Sequence, residues 1–216
     1  TIDKKRSVRN GYNFLLSRQT ILMKRKKLIA DMLLYNFIGM TVAVSGWIWE
    51  VLIFFVKDRR FVNRGFLYGP YLPVYGIGAV MLSALYYSWR RCGKSFLQKK
   101  HPVRESCFIF LIGMCGGSLT ELCTGWLLWH VFHKKYWDYH GYPCNIAGYV
   151  CLYSALGFGF FALVWIRWIA PRLMRAWGRL RPPMQCFLAG LSDLILVTDV
   201  IFALMLPNSG TNITFL

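Results

Sequence analysis

Long apolar runs separated by short basic blocks constrain the fold of this chain more than any other feature. Five of the runs exceed the roughly 20 residues that a helix needs to cross the hydrocarbon core of a bilayer. Only 16% of the residues are charged, whereas soluble domains average about 25%. The pattern predicts an all-α integral membrane protein with about five transmembrane helices. The predicted spans are residues 32–56, 66–89, 107–132, 146–170 and 184–206.

The formal net charge of +17 does not by itself indicate a nucleic-acid-binding protein. Such proteins carry basic side chains interleaved along an exposed face, whereas here Lys and Arg occur in blocks between the apolar runs. Of the 26 Lys and Arg residues, 20 lie in the N-terminal segment and in the segments 90–104 and 167–181 that begin near the ends of the second and fourth runs. Because basic loops stay on the cytoplasmic side, we expect a multi-pass cell-membrane protein with a cytoplasmic N-terminus and an external C-terminus.

We expect the chain to divide into a basic segment, one membrane domain and a tail. Residues 1–31 place apolar pairs seven residues apart between Lys and Arg, which predicts an amphipathic helix on the cytoplasmic leaflet; a disordered basic tail is the alternative. The transmembrane helical domain covers residues 32–206, and residues 207–216 form a short external tail.

Two halves of the membrane domain resemble each other. The motif G-W-I-W-E ends at Glu50 and the motif G-S-L-T-E ends at Glu121, an offset of 71 residues. Each motif is followed by a charged loop, a proline and a glycine. The pattern predicts a tandem two-helix repeat with halves at about residues 32–89 and 107–170, while the fifth span, 184–206, has no counterpart.

Four acidic residues lie inside predicted spans: Glu50, Glu121, Asp193 and Asp199. A carboxylate within a bilayer costs several kcal/mol, so it normally faces the bundle interior and finds a partner there. We predict a buried carboxylate site formed by Glu50, Glu121 and Asp199 in the outer half of the membrane. Hydrogen bonding between helices, without any ligand, is the alternative explanation for these acids.

Two rigid aromatic loops are predicted to cover this site. Residues 61–76 read F-V-N-R-G-F-L-Y-G-P-Y-L-P-V-Y-G, and residues 136–145 read Y-W-D-Y-H-G-Y-P-C-N. Irregular backbone is tolerated at membrane depth only where protein buries it or where it lines a cavity. We therefore interpret the first stretch as a re-entrant or capping loop over the acids, with Arg64 as their nearest fixed cation. An aromatic belt with ordinary turns is the alternative.

The motifs of soluble enzymes are absent from the sequence. His130 and His133 are three residues apart, but they match no zinc-site spacing, so we assign no metal. There is no P-loop, dinucleotide fingerprint or G-x-S-x-G elbow, and we assign no cofactor. Without a Walker motif the chain hydrolyses no nucleotide by that route.

The motifs of residues 35–165 resemble those of the bacterial membrane proteins called "putative ABC-transporter type IV", and a shorter vertebrate transmembrane family shares the acid and W-D-Y signature. His140 departs from the family pattern, which usually has Ser there, and Tyr153 stands where an acidic residue is frequent. The positions that match the family motif are Gly46, Glu50, Asn63, Arg64, Gly65, Gly69, Pro70, Pro73, Gly76, Glu121, Trp137, Asp138, Asn145 and Gly148.

The resemblance implies transport, and the residues allow three interpretations. In the first, the chain is a transporter-like or permease-like component, driven by an ion gradient or by a separate ATPase or other membrane subunit that docks on the basic loops 90–104 and 167–181. In the alternative, it is an intramembrane enzyme for a lipid or lipid-linked substrate, with Glu50 and Glu121 as an acid/base pair. An assembly factor without a ligand is a third possibility. The candidate binding residues are Glu50, Asn63, Arg64, Glu121, Trp137, Asp138, Asn145 and Asp199.

Overall fold

The computed structural model describes residues 2–59, 61, 63–91, 102–133 and 135–206. Within these residues the chain forms five helices and no β-strand, which confirms the predicted all-α fold. The predicted external tail, 207–216, lies outside the described residues. The helices are α1 (Ile2–Asp58), α2 (Pro73–Arg91), α3 (Pro102–Phe132), α4 (Leu152–Gly178, with a π-helical stretch at Trp165–Ile169) and α5 (Pro182–Met205).

Four of these helices are long and apolar enough to cross a membrane: the Arg18–Val56 part of α1, and α3, α4 and α5. Helix α2 does not reach that standard, although its 19 residues extend about 28 Å. It packs against both α1 and α3. Two predicted spans were wrong at their starts. Residues 66–72 of the second span, 66–89, are not helical, and the helix of the fourth span, 146–170, begins only at Leu152.

Contacts between connections define two ends of the bundle. At one end, which we call the outer end, an Arg64 Nη atom donates to the carbonyl oxygen of Tyr136 at 2.8 Å, which joins the loop before α2 to the loop before α4. At the opposite, inner end, Arg167 pairs with Glu105 at 3.3 Å. The first and third connections thus lie at the outer end, as the predicted alternation of loops between the two sides of the membrane requires.

Glycines allow the helices of each predicted half to pack closely. A Cβ atom on Gly46 would lie 2.5 Å from the Tyr75 ring of α2. A Cβ atom on Gly117 would lie 2.4 and 2.8 Å from two ring atoms of Phe158 in α4. The glycines of the two motifs, Gly46 and Gly117, therefore face a neighbouring helix, as small residues of membrane helices commonly do.

The inner half of the bundle has a tightly packed core. Ile38, Ala79, Ile109 and Trp165 are each at most 1% exposed and pack in one cluster. The indole Nε1 of Trp165 donates to the hydroxyl of Ser83 at 2.8 Å, and both residues are buried. The indole N–H therefore has the partner that a buried polar group requires. This core fixes α1 to α4 relative to one another.

The basic N-terminal segment is helical, as predicted, but it is not a separate helix. Helix α1 continues through the predicted boundary at residues 31 and 32 without a break. Residues 18–30 are exposed along their whole length, so the segment extends α1 away from the bundle. Its Arg18 and the basic run at residues 24–27 are among these exposed positions.

Candidate functional site

The first outer loop, residues 59–72, is drawn down into the bundle. The backbone N–H of Leu72 donates to the carbonyl oxygen of Ala43 at 2.9 Å. Ala43 precedes the end of α1 at Asp58 by 15 residues, or about 22 Å along the helix. The loop therefore descends along α1 before α2 begins, with Leu67 and Tyr71 almost fully buried. This is the re-entrant course that the sequence predicts.

Two polar side chains hold this loop by its backbone. The Asp199 carboxylate of α5 accepts from the N–H groups of Tyr68 and Gly69, at 3.1 and 2.8 Å, and from the Tyr71 hydroxyl at 2.6 Å. The Asn63 side chain accepts from Trp47 at 2.7 Å and donates to the Tyr68 carbonyl oxygen at 2.8 Å. These bonds satisfy backbone groups that would otherwise be unpaired at membrane depth.

Glu50 of α1 is a carboxylate with its partners in place. Its Oε2 accepts from Arg64 Nε at 3.3 Å, and its Oε1 accepts from the Tyr75 hydroxyl at 2.9 Å. The Arg64 guanidinium also lies 4.0 Å from the centre of the Phe54 ring. With side-chain exposures of 15% for Arg64 and 26% for Glu50, the pair is largely removed from water and its charges cancel.

The second outer loop, residues 133–151, brings a phenol to Glu121 of α3. The Tyr139 hydroxyl donates to Glu121 Oε1 at 3.0 Å. Burial, followed by the charge of the neighbouring Glu121, raises the pKa of Tyr139 well above its ordinary value. Tyr139 therefore stays protonated and acts as a donor. The indole of Trp137 donates to the Tyr149 carbonyl oxygen at 2.9 Å and stabilises the loop.

Glu121 is the carboxylate without a full set of partners. It is 9% exposed, and its Oε2 has no hydrogen-bond partner among the residues that the structure describes. Ser154 lies beside it, but the Ser154 hydroxyl donates to the Cys151 carbonyl oxygen at 3.0 Å. No Lys, Arg or His of the described part of the chain forms an ion pair with Glu121.

The two glutamates belong to one polar cluster. The Tyr75 hydroxyl, which bonds Glu50, is also close enough to Glu121 and to Tyr139 to interact with both electrostatically. The cluster therefore contains two carboxylates, one guanidinium and two phenols. Because Arg64 balances Glu50, the cluster is one positive charge short when Glu121 is ionised.

The remaining predicted residues shape the second loop at its exposed surface. Asp138 bonds His140, through both the backbone N–H and the imidazole, and lies 3.9 Å from the Lys135 ammonium. The hydrogen bonds from His140 lower the pKa of Asp138 below its ordinary value. Asn145 donates to the carbonyl oxygens of His140 and Tyr142 and accepts from the Gly148 N–H.

The structure thus separates the predicted site residues into three groups. Glu50, Arg64 and Glu121 come together at the outer end. Asp199 and Asn63 hold the first loop and make no described contact with the two glutamates. Trp137, Asp138 and Asn145 organise the second loop.

Sequence reasoning missed two residues of the polar cluster, Tyr75 and Tyr139, whose hydroxyls bond the two glutamates. A signal for both was present. Tyr75 directly precedes the glycine that ends the first loop motif, and Tyr139 is the tyrosine of W-D-Y.

Two further polar features lie outside this cluster. Asp193 of α5 accepts a hydrogen bond from the Asn36 side chain of α1. The Nδ1 atom of His130 lies 2.8 Å from the carbonyl oxygen of Trp126 within its own helix. Across the described ranges, no group of three His, Cys, Asp or Glu side chains is placed to hold a metal ion.

One protein family matches the chain. The family model described as "Putative ABC-transporter type IV" matches residues 36–204, which is well over half of the 216 residues. The chain therefore belongs to this family. The match begins within α1 at residue 36, spans α2, α3 and α4 with both outer loops, and ends one residue before the end of α5 at Met205. No curated protein and no solved structure matches the chain.

Proposed function

We propose that this member of the "Putative ABC-transporter type IV" family binds a cationic group at Glu121 and passes it across the membrane. The observation that carries the proposal is the buried Oε2 atom of Glu121, which lacks a partner among the described residues beside an already balanced pair, Glu50 and Arg64. A buried charge without a partner is strongly destabilising. A proton or a bound cation on Glu121 removes that cost.

Exchange between the two occupants would couple binding to transport. When a cation binds, the proton on Glu121 leaves to the water on the same side, and the cluster keeps its charge. When the cation leaves on the other side, a proton returns to the carboxylate. The groups that face Glu121 during this exchange are Glu50 with Arg64, the Tyr75 and Tyr139 hydroxyls, and Ser154.

The two outer loops would gate this site. The bond from Arg64 to the Tyr136 carbonyl oxygen closes one loop onto the other. Breaking it would open the cluster toward the outer end. The distribution of Lys and Arg supports assigning the outer end to the external side of the cell membrane, with the N-terminus in the cytoplasm.

The geometry favours binding over an acid/base reaction at Glu50 and Glu121. Both Glu50 oxygens are engaged, one by Arg64 and one by Tyr75. A carboxylate held in this way is a poor proton carrier, and only Glu121 of the two has an oxygen without a described partner. An intramembrane enzyme that uses the two acids symmetrically is therefore the weaker proposal.

A separate ATPase, if it takes part, would dock at the inner end. The predicted docking segment 90–104 lies largely outside the described residues. In the other segment, 167–181, Arg167 is engaged by Glu105 and Ser106. Arg172 and Arg175, further along the helix, bond carbonyl oxygens of that helix, and both are exposed. An acidic ATPase surface would bind these two charges in a salt-sensitive way.

The proposal is tested with purified protein in liposomes that contain a pH-sensitive dye. Choline, tetraethylammonium and dodecyltrimethylammonium are added outside, because permanently charged probes carry no proton of their own. We expect at least one probe to drive protons out of the lumen with the wild-type protein, and Glu121→Gln to abolish the signal.

Asp193→Asn is the matched control, because Asp193 is an intramembrane acid outside the cluster and bonds Asn36 instead. It should retain the proton signal of the wild-type protein. The proposal fails if no probe moves protons with the wild-type protein, or if Glu121→Gln behaves like the wild type.

A further inference from the structure

A lateral groove runs between α2, α3 and α4, next to the polar cluster. Its walls are almost entirely apolar, and the cavity measures about 70 Å³. On α2 it extends from Val74 to Leu85, eleven residues or about 16 Å along the helix. On α3 it ends at Thr120, the residue before Glu121. An elongated apolar ligand would therefore lie parallel to the helices, with one end at the cluster.

Two glycines keep this groove open without being needed for helix packing. Gly78 and Gly116 both line it, and a Cβ atom on either would meet no atom within 4 Å. By contrast, a Cβ atom on Gly117 would overlap the Phe158 ring. Glycine destabilises a helix relative to alanine. Gly78 and Gly116 therefore destabilise their helices without allowing a closer contact between helices. Their effect is to leave space in the groove.

Tyr75 connects the groove to the carboxylates. Its ring lines the groove, its hydroxyl donates to Glu50 Oε1 at 2.9 Å, and it lies within range of the Glu121 charge. The apolar groove thus leads, at its Tyr75 end, to a cluster that lacks one positive charge when Glu121 is ionised. Aromatic faces such as that of Tyr75 also attract cationic groups.

We propose that this groove binds a single-chain cationic amphiphile, with its alkyl chain along Gly78 and Gly116 and its ammonium head beside Tyr75 and Glu121. The inference rests on the proposed function and names the substrate class of the same site. The alkyl chain enters from the lipid, since Met81 and Leu85 of the groove lining are 45% and 54% exposed at the side of the bundle. The head supplies the missing charge.

The experiment uses the full chain in nanodiscs and a nitroxide-labelled alkyltrimethylammonium with a dodecyl chain. Electron paramagnetic resonance measures the fraction of probe whose motion is restricted by the protein. Gly116→Leu fills the groove with a side chain. Gly157→Leu is the matched control, because Gly157 also has open space around its Cβ position and does not line the groove.

We expect Gly116→Leu to weaken probe binding roughly tenfold, the effect of excluding about two methylene groups, while Gly157→Leu leaves it unchanged. Glu121→Gln should weaken binding of the charged probe and leave a neutral alcohol of the same chain length unaffected. Thermal unfolding and gel filtration of each variant establish that it is folded.

The outcomes separate the two proposals. If Gly116→Leu binds the probe like the wild type while Glu121→Gln does not, the groove is overturned and the cation site stands. If Gly116→Leu loses binding while Glu121→Gln keeps it, the ammonium head is not at Glu121 and the amphiphile proposal is overturned, whereas the proposed function is decided by the proton signal in liposomes. If Gly116→Leu changes the oligomeric state and not probe binding, a second copy of the chain covers the groove, and the amphiphile proposal is overturned.

Discussion

Replacing Arg64 with glutamine removes the positive charge that balances Glu50. Breaking a buried ion pair by removing one partner costs about 3–5 kcal/mol. Because the two side chains keep exposures of 15% and 26%, water offsets part of this cost and the lower end, about 3 kcal/mol, applies. The Arg64 contacts with the Tyr136 carbonyl oxygen and the Phe54 ring are also lost, and they add about 1–2 kcal/mol.

A double-mutant cycle isolates the ion pair from these other contacts. In Glu50→Gln/Arg64→Gln no buried charge remains unbalanced, so the double variant should be more stable than the sum of the single losses predicts, by about 2 kcal/mol. The free energy of unfolding is measured by titration with sodium dodecyl sulfate in mixed micelles. Lys135→Gln is the control, because the Lys135–Asp138 pair is long and exposed and should contribute less than about 1 kcal/mol.

Two results would refute this reasoning. If Arg64→Gln costs no more than Lys135→Gln, the guanidinium does not balance a buried carboxylate. If the two single losses simply add up in the double variant, Arg64 and Glu50 do not interact. In either case the charge count of the polar cluster, and with it the assignment of Glu121 as the unbalanced acid, would be wrong.

Asp199→Asn should destabilise the protein by about 2–4 kcal/mol, because one amide oxygen cannot replace three hydrogen bonds to the first outer loop, and limited proteolysis should then cut that loop; intact loops would contradict the role. Gly76→Ala should lower the free energy of unfolding by about 1–3 kcal/mol, because the added Cβ atom would overlap a carbonyl oxygen of α1. Gly78→Ala places its Cβ atom in open space, so it should be neutral or stabilising by up to about 1 kcal/mol. Equal effects of the two variants on thermal unfolding would contradict this. Since His140 lowers the pKa of Asp138, this contact should stabilise the second loop above about pH 4 and be lost as the pH falls through the lowered pKa. Carbon-13 NMR should show the Asp138 pKa return toward its ordinary value in His140→Ala, and an unchanged pKa would contradict it.

The sequence predicted the membrane helices because a long apolar run has few other solutions. It misplaced the start of α2 for a physical reason. Residues 66–72 are as apolar and aromatic as a span, and hydropathy does not show that their backbone groups are satisfied by Asp199 and Ala43. A carboxylate from a distant helix, provided by the tertiary fold, is what permits the extended course.

The predicted repeat pairs residues of the two halves, and only some of these pairs are structurally equivalent. Glu50 and Glu121 are indeed matched, since each accepts a hydrogen bond from a tyrosine. Gly76 and Gly148 are not, because Gly76 packs within α2 against α1, whereas Gly148 adopts a φ of 74° in the second loop. Equal spacing in the sequence identifies equivalent residues only where the helices of the two halves begin at equivalent positions. Here α2 begins before Gly76, whereas α4 begins after Gly148.

Depth in the membrane could not predict which acids meet. We expected Asp199 beside the two glutamates because all three acids lie in the outer half of the membrane. The position of a residue along the membrane normal does not determine which neighbouring helix or loop its side chain contacts. In the structure Asp199 is fully engaged by the first loop. Tyr75 and Tyr139 do belong to the loop motifs, but the motifs alone do not show that the two hydroxyls reach the two glutamates.

The state of Glu121 tests the account most directly. Infrared difference spectra of the protein in lipid detect the carbonyl stretch of a protonated carboxyl group. We predict a carboxyl band that disappears when dodecyltrimethylammonium binds, that is missing in Glu121→Gln and that persists in Glu50→Gln. A wild-type protein without this band, or a band that Glu121→Gln leaves in place, would contradict the claim that Glu121 is the acid awaiting a positive charge.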